Sequence, residues 1–224
     1  MELRTILDLA DHGPDVYVGI GPQYPWGGLY GGQIVAQALM AAAHTVAEEL
    51  PVHSLRAYFI RRGDHHEPVR YEVDRIRDGR SFATRRVVAR QAVGAILNLE
   101  ASFQRDEQSA NVETLAPPPD LPQPETLEQS SWSAAFERAF VPSDRVSPSV
   151  ERDGRGRATA WLRTTEPIGD DRVMQAAALA YMSDDLPTDA VVQAHPVRSE
   201  PDEILYKALF TASLDHTIWF HRLI

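Results

Sequence analysis

The 224-residue chain contains no cysteine, which excludes a disulfide scaffold, a zinc site built on thiolates and a cysteine nucleophile. It has no run approaching the roughly 20 apolar residues of a membrane-spanning helix. Met1 to Asp11 also lacks the basic-then-apolar form of a secretory leader. The expectation is a soluble, cytoplasmic protein. Net positive charge is missing too: the formal charge is −10, the wrong sign for a chain that holds nucleic acid by neutralising phosphates. No Gly-x-Ser-x-Gly elbow, P-loop or dinucleotide glycine fingerprint occurs. The eight histidines do not fall at metal-ligand spacing, and His65-His66 is expected exposed in a turn. No cofactor or metal is therefore expected.

What is present is unevenly distributed. Residues 1–52 sum to −5, residues 53–105 to +5 and residues 106–224 to −10. The middle stretch carries eleven arginines against six acids, which fits either a solvated sheet face or a local site for an anionic ligand. The length accommodates one large domain or two small ones, at about 100 to 200 residues each.

Periodicity divides the chain. From Gly31 to about Glu49 the residues are helix formers, with Ile34, Ala38, Ala41, Ala42 and Thr45 recurring at helical spacing, and the segment stops at Pro51. This predicts one long amphipathic helix. Strands are predicted at His53–Arg61, Val69–Arg77, Ser81–Gln91 and Val93–Phe103, with Asp78-Gly79 as a tight hairpin turn of positive φ angles. Asp106 to Gln129 is rich in Pro, Asp, Glu and Gln and reads as a linker. A short helical patch at Trp132–Phe140 and a polar loop to Arg157 follow. A second unit is predicted as a strand at Ala158–Arg163, a helix from Asp171 to about Leu186 and a strand from about Leu209 to His221. Units are thus expected at 1–105 and 158–224, joined by 106–157. Tyr58-Phe59-Ile60-Arg61 finds an echo in Trp219-Phe220-His221-Arg222, a faint sign of internal repetition.

Asp184 is the most informative carboxylate. On a helical wheel it falls about 20° from the centre of the Val173, Ala176, Ala177, Ala180 stripe, whereas Asp185 points about 100° away. A carboxylate on a core-facing stripe is costly unless it is hydrogen-bonded or used, so Asp184 is a candidate general base or water-orienting group. The bland alternative is that the helix ends before it and both aspartates are loop residues. In Ser213-Leu214-Asp215-His216, strand alternation puts Ser213 and His216 on opposite faces, which argues against a Ser-His-Asp triad.

Several segments together resemble the acyl-CoA thioesterase II family. They are Leu29-Tyr30-Gly31-Gly32-Gln33-Ile34-Val35-Ala36-Gln37, His53-Ser54-Leu55-Arg56-Ala57-Tyr58-Phe59-Ile60-Arg61, Arg77-Asp78-Gly79-Arg80-Ser81-Phe82, Tyr181-Met182-Ser183-Asp184 and Ser213-Leu214-Asp215-His216 through His221. The resemblance implies an α+β double hotdog, a helix wrapped by an antiparallel sheet twice over. It implies hydrolysis of acyl-CoA without a covalent intermediate, by a water held by an Asp, a Ser or Thr, and a Gln. Matched by motif, the Asp is Asp184 and the Ser is Ser213. The family's Gln, in a late Gln-Glu-Gly strand, has no counterpart before the chain stops at Leu223-Ile224. Gln33 and Gln37 belong to the other unit and are not assigned that role. The second hotdog is therefore expected to be incomplete, through truncation or a frameshift, leaving weak activity and an open sheet edge that favours a homo-oligomer.

Three readings follow from these residues. The first is an acyl-CoA thioesterase, the second a non-catalytic acyl-CoA or acyl-carrier binding module, and the third an enoyl-CoA hydratase using Asp184 with His216. CoA carries phosphates, so Arg56, Arg61, Arg85 and Arg86 are candidate substrate-binding residues through charge-assisted bonds.

Overall fold

A computed structural model of the chain describes residues 1–110, 112–113, 120–142, 156–196 and 209–222. Pro117-Pro118-Pro119 and Leu223-Ile224 lie outside them. In chain order the elements are α1 (Leu3–Leu7), β1 (Ala10–Asp11), β2 (Val16–Gly19), α2 (Gly31–Ala43), β3 (Val52–Phe59), β4 (Val69–Asp78), β5 (Phe82–Gln91) and β6 (Gly94–Gln104). There follow β7 (Gln129–Ser130), β8 (Phe136–Phe140), β9 (Ala160–Thr164), α3 (Arg172–Ser183), α4 (Pro187–Ala194) and β10 (Asp215–Trp219). No helix among the described residues is long and apolar enough to cross a membrane.

Seven strands form one antiparallel sheet in the order β1-β2-β4-β5-β6-β3-β10. On its inner face the alternating residues Leu55, Ala57, Val69, Tyr71, Val87, Ala89, Leu97 and Leu99 are buried around α2. Every residue from Gly32 to Ala42 is buried. The helix is thus enclosed all round rather than amphipathic, because the sheet wraps one side and α3 covers the other. Its alanines let both neighbours approach. The sheet does not stop at the first unit: β10, the strand that follows the second helix, pairs with β3 in the register Thr217↔Arg56 and Ile218↔Leu55. The two segments that echo each other in sequence therefore lie on neighbouring strands.

Several expectations need correction. Residues 129–140, read as linker and helical patch, form β7 and β8, which pair with β9 in a separate three-stranded sheet. Phe136 is buried against Trp132 and Tyr181, so packing on the second helix overrides the local helix-favouring composition. Asp78-Gly79 does not adopt positive φ. The turn that does is at the β5–β6 hairpin, where Gly94 has φ 104°.

The arginine-rich stretch resolves into two populations. Arg56 and Arg86 stand on the outer face and flank Glu100 in the strand register, and Arg86 bonds Asp74. Arg70 and Arg90 share Glu72. This is the solvated, charge-paired face. Arg85 is different, being wholly buried. Its Nε donates to Thr45 Oγ1 at 2.7 Å, Nη1 to the carbonyls of Arg77 and Thr84, and Nη2 to the Thr45 carbonyl and the Asp78 carboxylate. All five donors are used within the protein. Arg85 therefore secures the residues that follow α2 and puts a cation at the negative end of that helix. It cannot also hold a CoA phosphate, and its assignment as a substrate ligand is withdrawn. Arg85→Met is expected to lower the unfolding free energy in urea by about 1 to 3 kcal/mol, because the Thr45, Arg77 and Thr84 carbonyls lose their donors.

Candidate active site

The site lies where α2 begins and α3 ends. Helix α3 starts on Asp171, whose side chain accepts from the backbone N–H groups of Val173 and Met174, and runs antiparallel beside α2. It ends at Ser183, with Asp184 as the residue that follows. The helix thus does stop before Asp184, as the bland alternative held, yet Asp184 is buried and only 9% exposed. Its carboxylate reaches the first turn of α2.

That approach is possible because two glycines stand there. A Cβ on Gly31 would come within 2.3 Å of Asp184 Oδ2, and one on Gly32 within 2.2 Å of the Tyr181 carbonyl oxygen. Neither space exists for a side chain. Tyr30, just before them, donates its hydroxyl to the same Tyr181 carbonyl at 2.8 Å and so ties the end of α3 to the start of α2. Around this junction Tyr24, Trp26, Tyr30, Trp132, Phe136 and Tyr181 pack ring on ring.

Asp184 Oδ1 accepts from Ser213 Oγ at 2.9 Å, and the carboxylate also accepts from the Gly32 backbone N–H. His216 Nδ1 lies 3.7 Å from the same Oδ1. Burial pushes the Asp184 carboxyl up to about 6, against the opposing pull of Ser213 and Gly32, with the neighbouring Asp185 adding to the rise. Asp185 is buried as well but is held by Arg138 Nη1 at 2.9 and 3.0 Å and by the Trp132 indole at 2.6 Å. One aspartate is therefore paired with a partly buried guanidinium, whereas burial raises the carboxyl of the other to about 6. A carboxyl raised to about 6 can exchange a proton near neutral pH.

Ser213 and His216 do not diverge. Ser213 precedes β10, in a turn where the Phe59 N–H bonds the Leu214 carbonyl, so strand alternation does not govern it. His216 obeys alternation, facing inward with Ile218 beside Ala57 and Leu55. Both converge on Asp184. Sequence reasoning passed over Ser183, whose Oγ is 2.8 Å from His216 Nε2.

The arginines separate further. Arg56 is exposed on the outer face with Asp215 at 3.5 Å and stacks over Tyr58. Arg61 is exposed just past the end of β3, the end whose Phe59 ring stands by Gly31, and donates to the Ala95 carbonyl. Arg62, not singled out before, donates to the Trp26 carbonyl beside Gly28. Gln33 and Gln37 are fully buried in a network with Tyr24, Tyr71, and the carbonyls of Ile6 and Ile20. Their work is structural. Asp64, His65 and His66 bring one potential metal ligand each within 4.8 Å, although His65 is half-buried rather than exposed. His66 and Asp64 bond one another within the turn. A cavity of about 970 Å³ opens at the far end of both helices, between Met40, His44, His53, Arg172, Ala176 and Phe220, away from Asp184.

A central helix in an antiparallel sheet, met by a second helix whose strand extends that sheet, is the double hotdog architecture. A family model described as the acyl-CoA thioesterase N-terminal domain matches residues 21–104, and one described as the C-terminal domain matches residues 112–224. The chain belongs to the acyl-CoA thioesterase family. It is 35% identical to human acyl-coenzyme A thioesterase 8 over 98% of its own length and 74% of the relative's. Acyl-CoA thioesterase 2 of Haemophilus influenzae is 31% identical, over 99% and 79% of the two chains. The crystal structure of the acyl-CoA thioesterase II TesB2 from Mycobacterium marinum superposes with a TM-score of 0.78 at 34% identity, covering 99% of this chain and 79% of that one.

The raised carboxyl has a thermodynamic consequence. A folded-state pKa of about 6 against the ordinary aspartate value of 3.8 means that the native state binds the Asp184 proton more tightly than the unfolded state does. That contribution to stability is complete below about pH 4 and is lost as pH rises through about 6. Asp184→Asn, which keeps an acceptor for Ser213, is expected to gain about 3 kcal/mol over the parent at pH 8 and nothing near pH 3.5. Urea unfolding at the two pH values measures the difference.

Proposed function

We propose that the protein hydrolyses fatty acyl-CoA thioesters to free fatty acid and CoA, with Asp184 as general base and Ser213 as the hydroxyl that orients it. The observation that carries this is a buried carboxylate with a raised pKa, held by a serine hydroxyl at the N-terminal end of a core helix in a thioesterase-family fold.

The reaction balances on these groups. A water oxygen attacks the thioester carbonyl carbon as Asp184 takes the water's proton, and the carbonyl oxygen becomes an oxyanion. The backbone N–H groups that open α2 present the positive end of the helix at this point, which favours that charge. The intermediate collapses, the C–S bond breaks, and the CoA thiolate leaves with the proton that Asp184 returns. No acyl-enzyme is formed. A base whose pKa lies near the working pH combines the correct protonation state with useful basicity.

For the CoA phosphates the placement of Arg61 on the active-site end of the sheet supports a contact there. Arg56 and Arg86, on the outer face, remain candidates only for a nucleotide end that crosses the sheet edge. The reading includes a homo-oligomer. β10 ends the sheet among the described residues, its Trp219 is 65% exposed, and an unpaired strand edge invites association.

The test is thiol release from a series of acyl-CoAs, run beside equilibrium binding. Asp184→Ala is expected to lower kcat by about 100- to 10,000-fold with binding retained, and Ser213→Ala by a smaller factor. Binding without release by the unmutated chain would favour the acyl-CoA binding module instead. Hydration of crotonyl-CoA would favour the hydratase.

A further inference from the structure

Two polar side chains beside Asp184 have no part in that mechanism. Ser183 is the last residue of α3, and His216 stands on the inner face of β10. The His216 side chain is 10% exposed. Burial holds its proton affinity below the usual histidine value, against the pull of Asp215, so the ring is neutral at neutral pH and carries a single N–H.

The Asp184 side decides which nitrogen carries it. Nδ1 faces Asp184 Oδ1 at 3.7 Å. With Asp184 ionised, a proton on Nδ1 is attracted to that oxygen, whereas a lone pair there is repelled. At the other end, the Ser183 hydroxyl has one proton and two acceptors in reach, His216 Nε2 at 2.8 Å and the Ala180 carbonyl at 3.2 Å. That hydroxyl can serve either tautomer, and with the proton placed on Nδ1 by Asp184 it donates to Nε2. The remaining charged groups do not compete: Asp185 is paired with Arg138, Asp215 points outward to Arg56, and the strand partner of His216 on β3 is Ala57.

We propose that His216 is a positioning residue for Asp184. Supported at Nε2 by Ser183, it turns Nδ1–H toward Oδ1. Oδ1 is then engaged by Ser213 and His216 together, and Oδ2, on the Gly31 side, is the oxygen presented to water. At 3.7 Å the contact is longer than a hydrogen bond and acts as a charge–dipole attraction, which is strong in a dry site. The inference rests on the hydrolytic reading of Asp184.

The test uses the full chain with His216→Leu, His216→Asn and Ser183→Ala. Steady-state hydrolysis is measured across pH, together with equilibrium binding of a non-hydrolysable thioether analogue of acyl-CoA. His216→Leu is expected to lower kcat by about tenfold or more. Its affinity for the analogue should stay within about twofold. The acidic limb of the profile should move to higher pH, because the ionised carboxylate loses a favourable dipole. Asparagine can place an N–H near the position of Nδ1, so His216→Asn should recover most of the rate. Ser183→Ala should move the acidic limb in the same direction by less, and serves as the test if His216→Leu does not fold. A His216→Leu enzyme with parental kcat and an unmoved limb overturns the inference, as does His216→Asn being as impaired as His216→Leu. Asp184→Asn separates the two levels: turnover surviving in it defeats the hydrolytic reading, while an inactive Asp184→Asn beside an unaffected His216→Leu defeats only the role of His216.

Discussion

The architecture turns on the burial of one carboxylate between two helix ends. Asp184 follows the last residue of α3 and lodges against the first turn of α2, where Gly31 and Gly32 leave no room for any side chain. The other features of the junction serve that approach. Tyr30 locks the Tyr181 carbonyl, the aromatic rings seal the periphery, and the alanines of α2 bring the helices close. At the opposite end Arg85 spends every donor on the turn after α2 and on β4 and β5, which keeps the central helix at a fixed height in the sheet. The position of Asp184 relative to the glycines depends on that height.

The two hotdog units are not equivalent at this junction. The first unit contributes a helix N-terminus with bare backbone, whereas the second contributes the acid. Adjacent aspartates then receive opposite treatment. Asp185 has a guanidinium and an indole N–H to compensate its burial, so it anchors β8 to the end of α3. Asp184 has only a serine hydroxyl, a backbone N–H and a neutral imidazole nearby, so burial prevails and its proton is held to about pH 6. Placing a full cation beside Asp184 would lower its pKa and weaken it as a base.

Much of this was legible in the residues. Strands β3 to β6 stand out by alternation and turn signals, and their limits agree with the structure to within about two residues. The helical wheel singled out Asp184 from Asp185, but the helix ends before both and both are buried, so what separates them is their partners and not their helical phase. Other features depended on tertiary context. Phe136–Phe140 forms a strand paired with β9, with Phe136 packed on Trp132 and Tyr181, contacts that local composition does not show. Arg85 and Arg86 differ by one position, and alternation alone cannot say which face is the core. The convergence of Ser213 and His216 needed the start of β10, which lies two residues beyond Ser213.

Burial at the glycine junction is what raises the Asp184 carboxyl to about 6. Titration of its side-chain carboxyl by carbon-13 NMR, assigned by the signal missing in Asp184→Asn, measures this directly. A midpoint near 6 is the predicted result. A midpoint near the ordinary aspartate value of 3.8 would contradict it, because an ordinary carboxylate in that position would have to be solvated or paired.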